Sequence, residues 1–110
     1  MNAPDRGDII VMDFDPQAGH EQMKRRPALV LSPRTFNGAF NLAFVAPITT
    51  KPRGHGFEVS LPRGCGAKGS VMTHQLKSFD WRARRAKKVG SVPIAILDAV
   101  VEIIKEIIVA

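Results

Sequence analysis

The chain of 110 residues has one cysteine, no tyrosine, a single tryptophan and six phenylalanines. A lone Cys65 excludes an internal disulfide and fits a reducing compartment; with no second thiol it is a poor metal ligand and reads as a small, half-buried residue. The three histidines, His20, His55 and His74, are far apart in sequence. No H-x-x-H, C-x-x-C or paired-carboxylate pattern joins them, so neither a metal site nor a cofactor is expected. No serine stands in a nucleophile-elbow context, which leaves a Ser-His-Asp hydrolase unsupported. The glycine-rich stretch 62–69 lacks both the spacing and the following helix of a phosphate-binding loop. The C-terminal apolar stretch carries Asp98, Glu102, Lys105 and Glu106 within 17 residues, too many charges for a membrane span. The first eight residues, Met1 to Asp8, have neither the basic nor the apolar region of a signal peptide, so a cytoplasmic protein is expected. There are no internal repeats and no low-complexity tract. At this length the chain reads as one domain, 1–110.

Acidic residues are also missing from most of the chain. Residues 1–21 hold five acids (Asp5, Asp8, Asp13, Asp15, Glu21) against Arg6, a net −4. Residues 22–92 hold 14 of the 16 Lys and Arg against only Glu58 and Asp80, a net +12. A small domain with that excess has a polyanion as its first-choice partner, the alternative being a merely soluble basic surface.

The strand and turn signals run in a regular order. Ile9 to Asp15 reads as a half-exposed strand, with Ile10, Met12 and Phe14 on one face and Asp13 and Asp15 on the other. Gln17 to Arg26 is a polar loop. Ala28 to Leu31 is apolar without alternation, a strand covered on both sides and ended by Ser32-Pro33. Asn37-Gly38 signals a turn between this strand and the next, Phe40 to Ala46. Phe57, Val59 and Leu61 alternate with Glu58 and Ser60. Ser70 to Ser78 reads as one strand with Met72, His74 and Leu76 on one side, and the basic stretch Trp81 to Val89 includes a short edge strand. Ser91-Val92-Pro93 starts a helix whose apolar positions, Leu97, Val100, Val101, Ile104, Ile107 and Ile108, recur at helical spacing. Ile94, Ile96 and Ile103 widen that arc beyond what one small sheet needs, so a homodimer is expected. Five to seven short strands with one terminal helix predict a mainly β protein, a small, strongly bent barrel or sandwich with a helix packed on it.

The polar residues that gather in the loops, Glu21, Lys24, Arg25, Arg26, Thr49 and Thr50, suit phosphoryl chemistry. Metal-free RNA cleavage needs a 2′-hydroxyl deprotonated, a phosphorane's charge stabilised and a 5′-oxygen leaving group protonated. Arginine offers planar, bidentate contact to phosphate, and a threonine hydroxyl adds a directed hydrogen bond. Pro27 restricts Arg26 to an extended conformation at the start of its strand, which suits a fixed anion. A solvated charge run and a turn hydroxyl explain the same residues, and spacing by itself leaves both readings open.

Longer matches bear on that choice. Gly7-Asp8-Ile9-Ile10 leads into Asp13-Phe14-Asp15-Pro16, followed by Gly19-His20-Glu21-Gln22 and Arg26-Pro27-Ala28-Leu29-Val30-Leu31-Ser32-Pro33. Pro47-Ile48-Thr49-Thr50 and Gln75-Leu76-Lys77-Ser78 with Trp81-Arg82-Ala83-Arg84 come later. In order and spacing these segments resemble the successive motifs of the MazF/PemK toxin family. The resemblance implies an SH3-like, CcdB-like plasmid-maintenance toxin barrel with a C-terminal helix, dimeric, acting as a metal-independent, sequence-selective endoribonuclease on single-stranded RNA. It implies Arg26 and Thr49 as catalytic residues and puts Glu21 on an acidic first-loop position that matters for activity, for which the role of base is expected. RNA contacts are expected from Lys24, Arg25, Thr50, Lys51, Arg53, His55, His74, Gln75 and Lys77. It implies as well an acidic antitoxin protein whose tail lies along the basic loops. His74 stands where relatives often carry an acid, and the first loop is richer in cations than in some members. Two alternatives are a CcdB-like toxin that binds a protein target such as gyrase, and a non-catalytic RNA-binding domain. Arg26 with Thr49 in matched positions argues against the first, and the shortage of aromatic residues weakens the second.

Overall fold

The structure, a computed structural model, describes residues 2–14 and 25–109. Its strands are β1 (Asp8–Asp13), β2 (Arg25–Val30), β3 (Leu42–Thr49), β4 (Glu58–Ser60), β5 (Ser70–Met72), β6 (Lys77–Asp80) and β7 (Lys87–Ser91). Two helices accompany them, α1 (Arg34–Phe40) and α2 (Ile94–Val109). The strands lie in the order β4-β5-β3-β2-β1-β7, with β6 also on β3, and every pairing is antiparallel. Strand β3 is where the sheet bends. Its first half, Leu42 to Val45, pairs with β6, and its last two residues, Ile48 and Thr49, pair with β5.

Between β5 and β6 a short 3-10 turn, Thr73–Gln75, interrupts what the sequence reads as one strand from Ser70 to Ser78. The buried hydroxyl of Thr73 donates to Phe57 O at 2.6 Å, and Thr73 N donates to the same carbonyl at 3.1 Å. Those bonds take the chain off the β3 ladder and turn His74 outward, away from the side it was expected to share with Met72 and Leu76. The 62–69 loop then closes the far side of the sheet. Gly90 of β7 lies so near it that a Cβ there would come 1.8 Å from Cys65 O.

The turn expected at Asn37-Gly38 is instead the middle of helix α1. Its first amide is capped from 29 residues away, Arg34 N donating to Asp5 Oδ1 at 2.9 Å, and Asn41 ends it at a left-handed φ of 56°. Asn37 is fully buried. Its Nδ2 donates to Pro4 O and Ser32 O, each at 2.8 Å, and its carbonyl accepts the Trp81 indole at 2.9 Å. A short polar side chain favours turns because it bonds nearby backbone; here the backbone it bonds belongs to the N-terminal segment and to Ser32, two residues past β2.

Two apolar clusters hold the sheet on its two faces. One gathers Ile10, Met12, Ala28, Val30, Val45 and Trp81, and the other Ile9, Leu29, Ala46, Ile48, Val71 and Val100 of α2. Strand β2 feeds both, which is why its apolar run shows no alternation. Strand β1 does too, so the reading of it as half exposed is corrected. Asp13, assigned to a solvent face, is 3% exposed.

Candidate nucleic-acid interface

The register of the sheet relates the two residues matched to a catalytic pair. In the β2–β3 ladder Ala28 faces Pro47, Leu29 faces Ala46 and Val30 faces Val45. The same register continued by two residues sets Arg26 opposite Thr49, beyond the last formed pair. Directly opposed residues of an antiparallel pair point to one face of the sheet. Arg26 is exposed at the mouth of β2, and Thr49 is half-buried at the end of β3. Thr49 is also held by its neighbours. Lys51 N donates to its Oγ1 at 3.0 Å, which occupies a lone pair and leaves the hydroxyl proton to donate outward. Across the sheet Thr49 pairs with Ser70 and Ser70 with Ser60, a row of three hydroxyls.

Ser60 and Ser70 line one side of a polar hollow of about 530 Å³, and Pro52, Arg53, Gly54, His55 and Glu58 line the rest. Glu58 organises the segment above it. Its carboxylate accepts Arg53 N at 3.0 Å and Gly54 N at 2.9 Å and lies 3.6 Å from His55 Nε2. The Arg53 amide, and after it the Gly54 amide, hold the Glu58 carboxyl below the usual carboxylate range against a desolvation that pushes the other way. His55 in turn meets His74 edge-on with ring centroids 4.8 Å apart, and Phe57 lies 5.8 Å from the first and 6.4 Å from the second. Three exposed rings thus stand together at the hollow that Arg53 and His55 line. The sequence count of aromatics missed this cluster, because two of its members are imidazoles 19 residues apart brought together by the Thr73 bonds to Phe57.

The remaining expected RNA contacts divide into three groups. Thr50, Lys51, Arg53, Gln75 and Lys77 are exposed. Lys24 lies outside the described residues, as does Glu21, the expected base. Arg25 is exposed as a residue, yet its guanidinium is engaged, with Nη1 3.0 Å from Asp13 Oδ1 and Nη2 donating to Val11 O and Arg85 O at 3.1 and 2.7 Å. Among the described residues no three His, Cys, Asp or Glu side chains gather as a metal site, and no helix is long and apolar enough to cross a membrane.

Residues 5–108 match the family model described as the PemK-like, MazF-like toxin of type II toxin–antitoxin systems. The chain is 46% identical over 89 residues to the endoribonuclease toxin MazF of Escherichia coli K12, covering 81% of this chain and 79% of that one. It is 38% identical over 100 residues to the endoribonuclease PemK of Escherichia coli, covering 87% and 75% respectively. In a crystal structure of MazE-MazF from Deinococcus radiodurans, one chain superposes with a TM-score of 0.90 at 42% identity, over 96% of this chain and 95% of that one.

Proposed function

The chain belongs to the PemK-like, MazF-like toxin family of type II toxin–antitoxin systems and is an endoribonuclease toxin, and from that premise we propose that it cuts single-stranded RNA at preferred sequences without a metal. The 2′-oxygen bonds to the adjacent phosphorus as the bond to the 5′-oxygen breaks, leaving a 2′,3′-cyclic phosphate and a 5′-hydroxyl. Arg26 spreads its guanidinium over the phosphorane, whose extra negative charge is greatest in the transition state. Thr49 donates a hydrogen bond from its hydroxyl to a non-bridging oxygen. Glu21 takes the 2′-hydroxyl proton, since an arginine guanidinium stays protonated and is a poor acceptor, and the departing 5′-oxygen takes its proton from water. What supports this reading is the β2–β3 register, which carried two residues past its last formed pair runs from Arg26 to Thr49, beside a row of hydroxyls.

The surface around that pair supports the substrate assignment. Lys51, Arg53 and Lys77 supply positive charge for the backbone, Thr50 and Gln75 supply polar contacts, and the rings of His55 and His74 meet splayed bases, as single-stranded RNA recognition requires. Lys24, also assigned to backbone contact, belongs to the first loop. The same cationic surface fits an acidic antitoxin segment, consistent with the relative solved as a MazE-MazF complex. A second copy of the chain covers the apolar side chains left exposed on α1, β3 and α2, including Phe40, Phe44 and Ile94. The protein works in the cytoplasm, where its substrate is.

The test is incubation of wild-type and Arg26→Ala protein with a long single-stranded RNA in EDTA, followed by mapping of the ends. Discrete cuts with cyclic phosphate ends are expected from the wild type. The variant should be slower by roughly 100- to 1,000-fold, the usual effect of removing one preorganised donor. Intact RNA with folded wild-type protein overturns the proposal, and an equally active Arg26→Ala overturns the assignment of Arg26.

A further inference from the structure

The end of β1 carries a cluster of charge that the reaction itself does not use. Asp13, nearly fully buried, is the last residue of the strand. Its carboxylate accepts Arg25 Nη1 at 3.0 Å and the Arg85 guanidinium through Nε at 2.8 Å and Nη2 at 3.3 Å. Arg84 holds the same place by its backbone side, with Nη1 donating to Asp13 O at 3.2 Å and to Phe14 O at 2.6 Å, while Arg84 O accepts Asp13 N at 2.9 Å. The Arg84 guanidinium lies over the Phe79 ring, which packs edge-on against Phe14. Arg25 closes the circuit by donating to Arg85 O. One turn, residues 81–85, is therefore fastened both to the end of β1 and to the start of β2.

That arrangement is demanding to build. Two guanidinium groups are brought onto one carboxylate and a third onto the backbone carbonyl of the same residue, and Arg85 adopts a left-handed φ of 54° that a non-glycine side chain rarely takes. Asp13, Arg25 and Arg85 are members of neither apolar cluster, although the turn they fasten contributes Trp81 to one of them. Arg26 needs the arrangement. It sits one residue beyond Arg25, opposite Met12 in the β1–β2 register and exposed at a strand end with little apolar burial of its own. Strand ends of that kind fray unless something fixes them. Pro27 fixes Arg26 from one side, and the clasp on Arg25 fixes it from the other.

We propose that Asp13, acting through Arg25 and Arg85, is the positioning residue that holds the backbone of Arg26 in register, and so aims its guanidinium at the phosphate opposite Thr49. The proposal rests on the assignment of Arg26 made above. Its chemistry is geometric. A donor aimed at a transition state loses effect steeply with displacement, a shift of about 1 Å costing on the order of 100-fold. Losing the clasp therefore lowers turnover and leaves RNA affinity, which many separate cations supply, nearly intact.

The discriminating variant is Arg85→Gly. Glycine adopts the left-handed conformation without strain, so the turn keeps its backbone while the guanidinium is removed. Steady-state cleavage kinetics and RNA binding are measured for wild type, Arg85→Gly, Arg26→Ala and the double variant, together with thermal unfolding of each. The expected result is a fall in kcat of about 10- to 100-fold for Arg85→Gly, with KM within about threefold and the unfolding temperature near that of the wild type. In the Arg26→Ala background, Arg85→Gly should add less than about twofold, because its target is already gone. Asp13→Asn should fall into the same non-additive pattern. Wild-type kcat for Arg85→Gly, a loss that multiplies fully with Arg26→Ala, or a loss explained by unfolding each overturns the proposal. If Arg26→Ala alone is fully active, the assignment of Arg26 fails first, and the two failures are told apart by that single variant.

Discussion

Gly69 is the residue whose replacement should most directly dislodge Thr49. It has a φ of +113°, and a Cβ built there would lie 1.9 Å from Thr49 O and 2.7 Å from Thr49 C. Ordinary contact begins at 3.4 Å, so Gly69→Ala would force two backbones apart by the difference, about 1.5 Å. Neither can yield easily. Thr49 is paired with Ser70 on β5, and Gly69 O accepts Leu61 N at 2.9 Å. The dihedral alone costs about 1–3 kcal/mol, and the displaced ladder adds roughly another 1–2 kcal/mol in weakened hydrogen bonds. At about 4–8 °C per kcal/mol for a domain near this size, the unfolding temperature should drop by more than about 10 °C. Gly64→Ala is the matched control. It too has a positive φ, of +82°, but its Cβ would meet nothing within 4 Å, so only the dihedral term applies. The assay is thermal unfolding by circular dichroism for both variants, with cleavage rates taken well below either transition. At that temperature folded Gly69→Ala should still be slowed by about 100-fold, since the hydroxyl of Thr49 has moved by more than 1 Å, whereas Gly64→Ala should cleave like the wild type. Equal stability and equal activity for the two variants would refute the reasoning.

Two further perturbations test other parts of the structure. Within the Asn37-Gly38 pair, Gly38→Ala should raise stability by about 0.5–1 kcal/mol, because Gly38 is helical and its Cβ would sit 3.7 Å from Ala3 Cβ; a hairpin turn there would make the same change destabilising. Asn37→Ala should instead cost about 2–3 kcal/mol by leaving Pro4 O and Ser32 O buried without donors, and chemical denaturation of both variants checks the pair. Asp13 is held below its ordinary value of 3.8, first by the Arg85 guanidinium and then by Arg25. A depressed carboxyl stabilises the fold above its unfolded value and loses that contribution as pH falls through the folded one. The stability gap between wild type and Asp13→Asn should therefore be constant near neutrality and narrow below about pH 3.8, and a gap that widens in acid would contradict the ion-pair geometry.

Some of this was legible in the chain before any coordinates. Apolar runs and punctuating prolines placed β2, β3 and α2, because strands and amphipathic helices announce themselves by local period. The segregation of charge pointed to a polyanion, since net charge acts at long range and does not depend on fold detail. The motif order supplied Arg26 and Thr49, and the β2–β3 register on which their proposed pairing rests belongs to two strands whose pairing the sequence does not encode locally. What tertiary structure decided was every choice settled between distant residues. Asn37 became helical because Asp5 caps α1 and because the carbonyls it bonds belong to Pro4 and Ser32. His55, Phe57 and His74 became one cluster because Thr73 bonds Phe57 O. Arg25, expected from its cationic run to contact RNA, turned to Asp13 because Arg85 arrives there from 60 residues further on. Local pattern fixes which backbone a segment favours; which polar side chain is spent on structure and which is left for RNA depends on partners that only the folded chain brings within about 3 Å of one another.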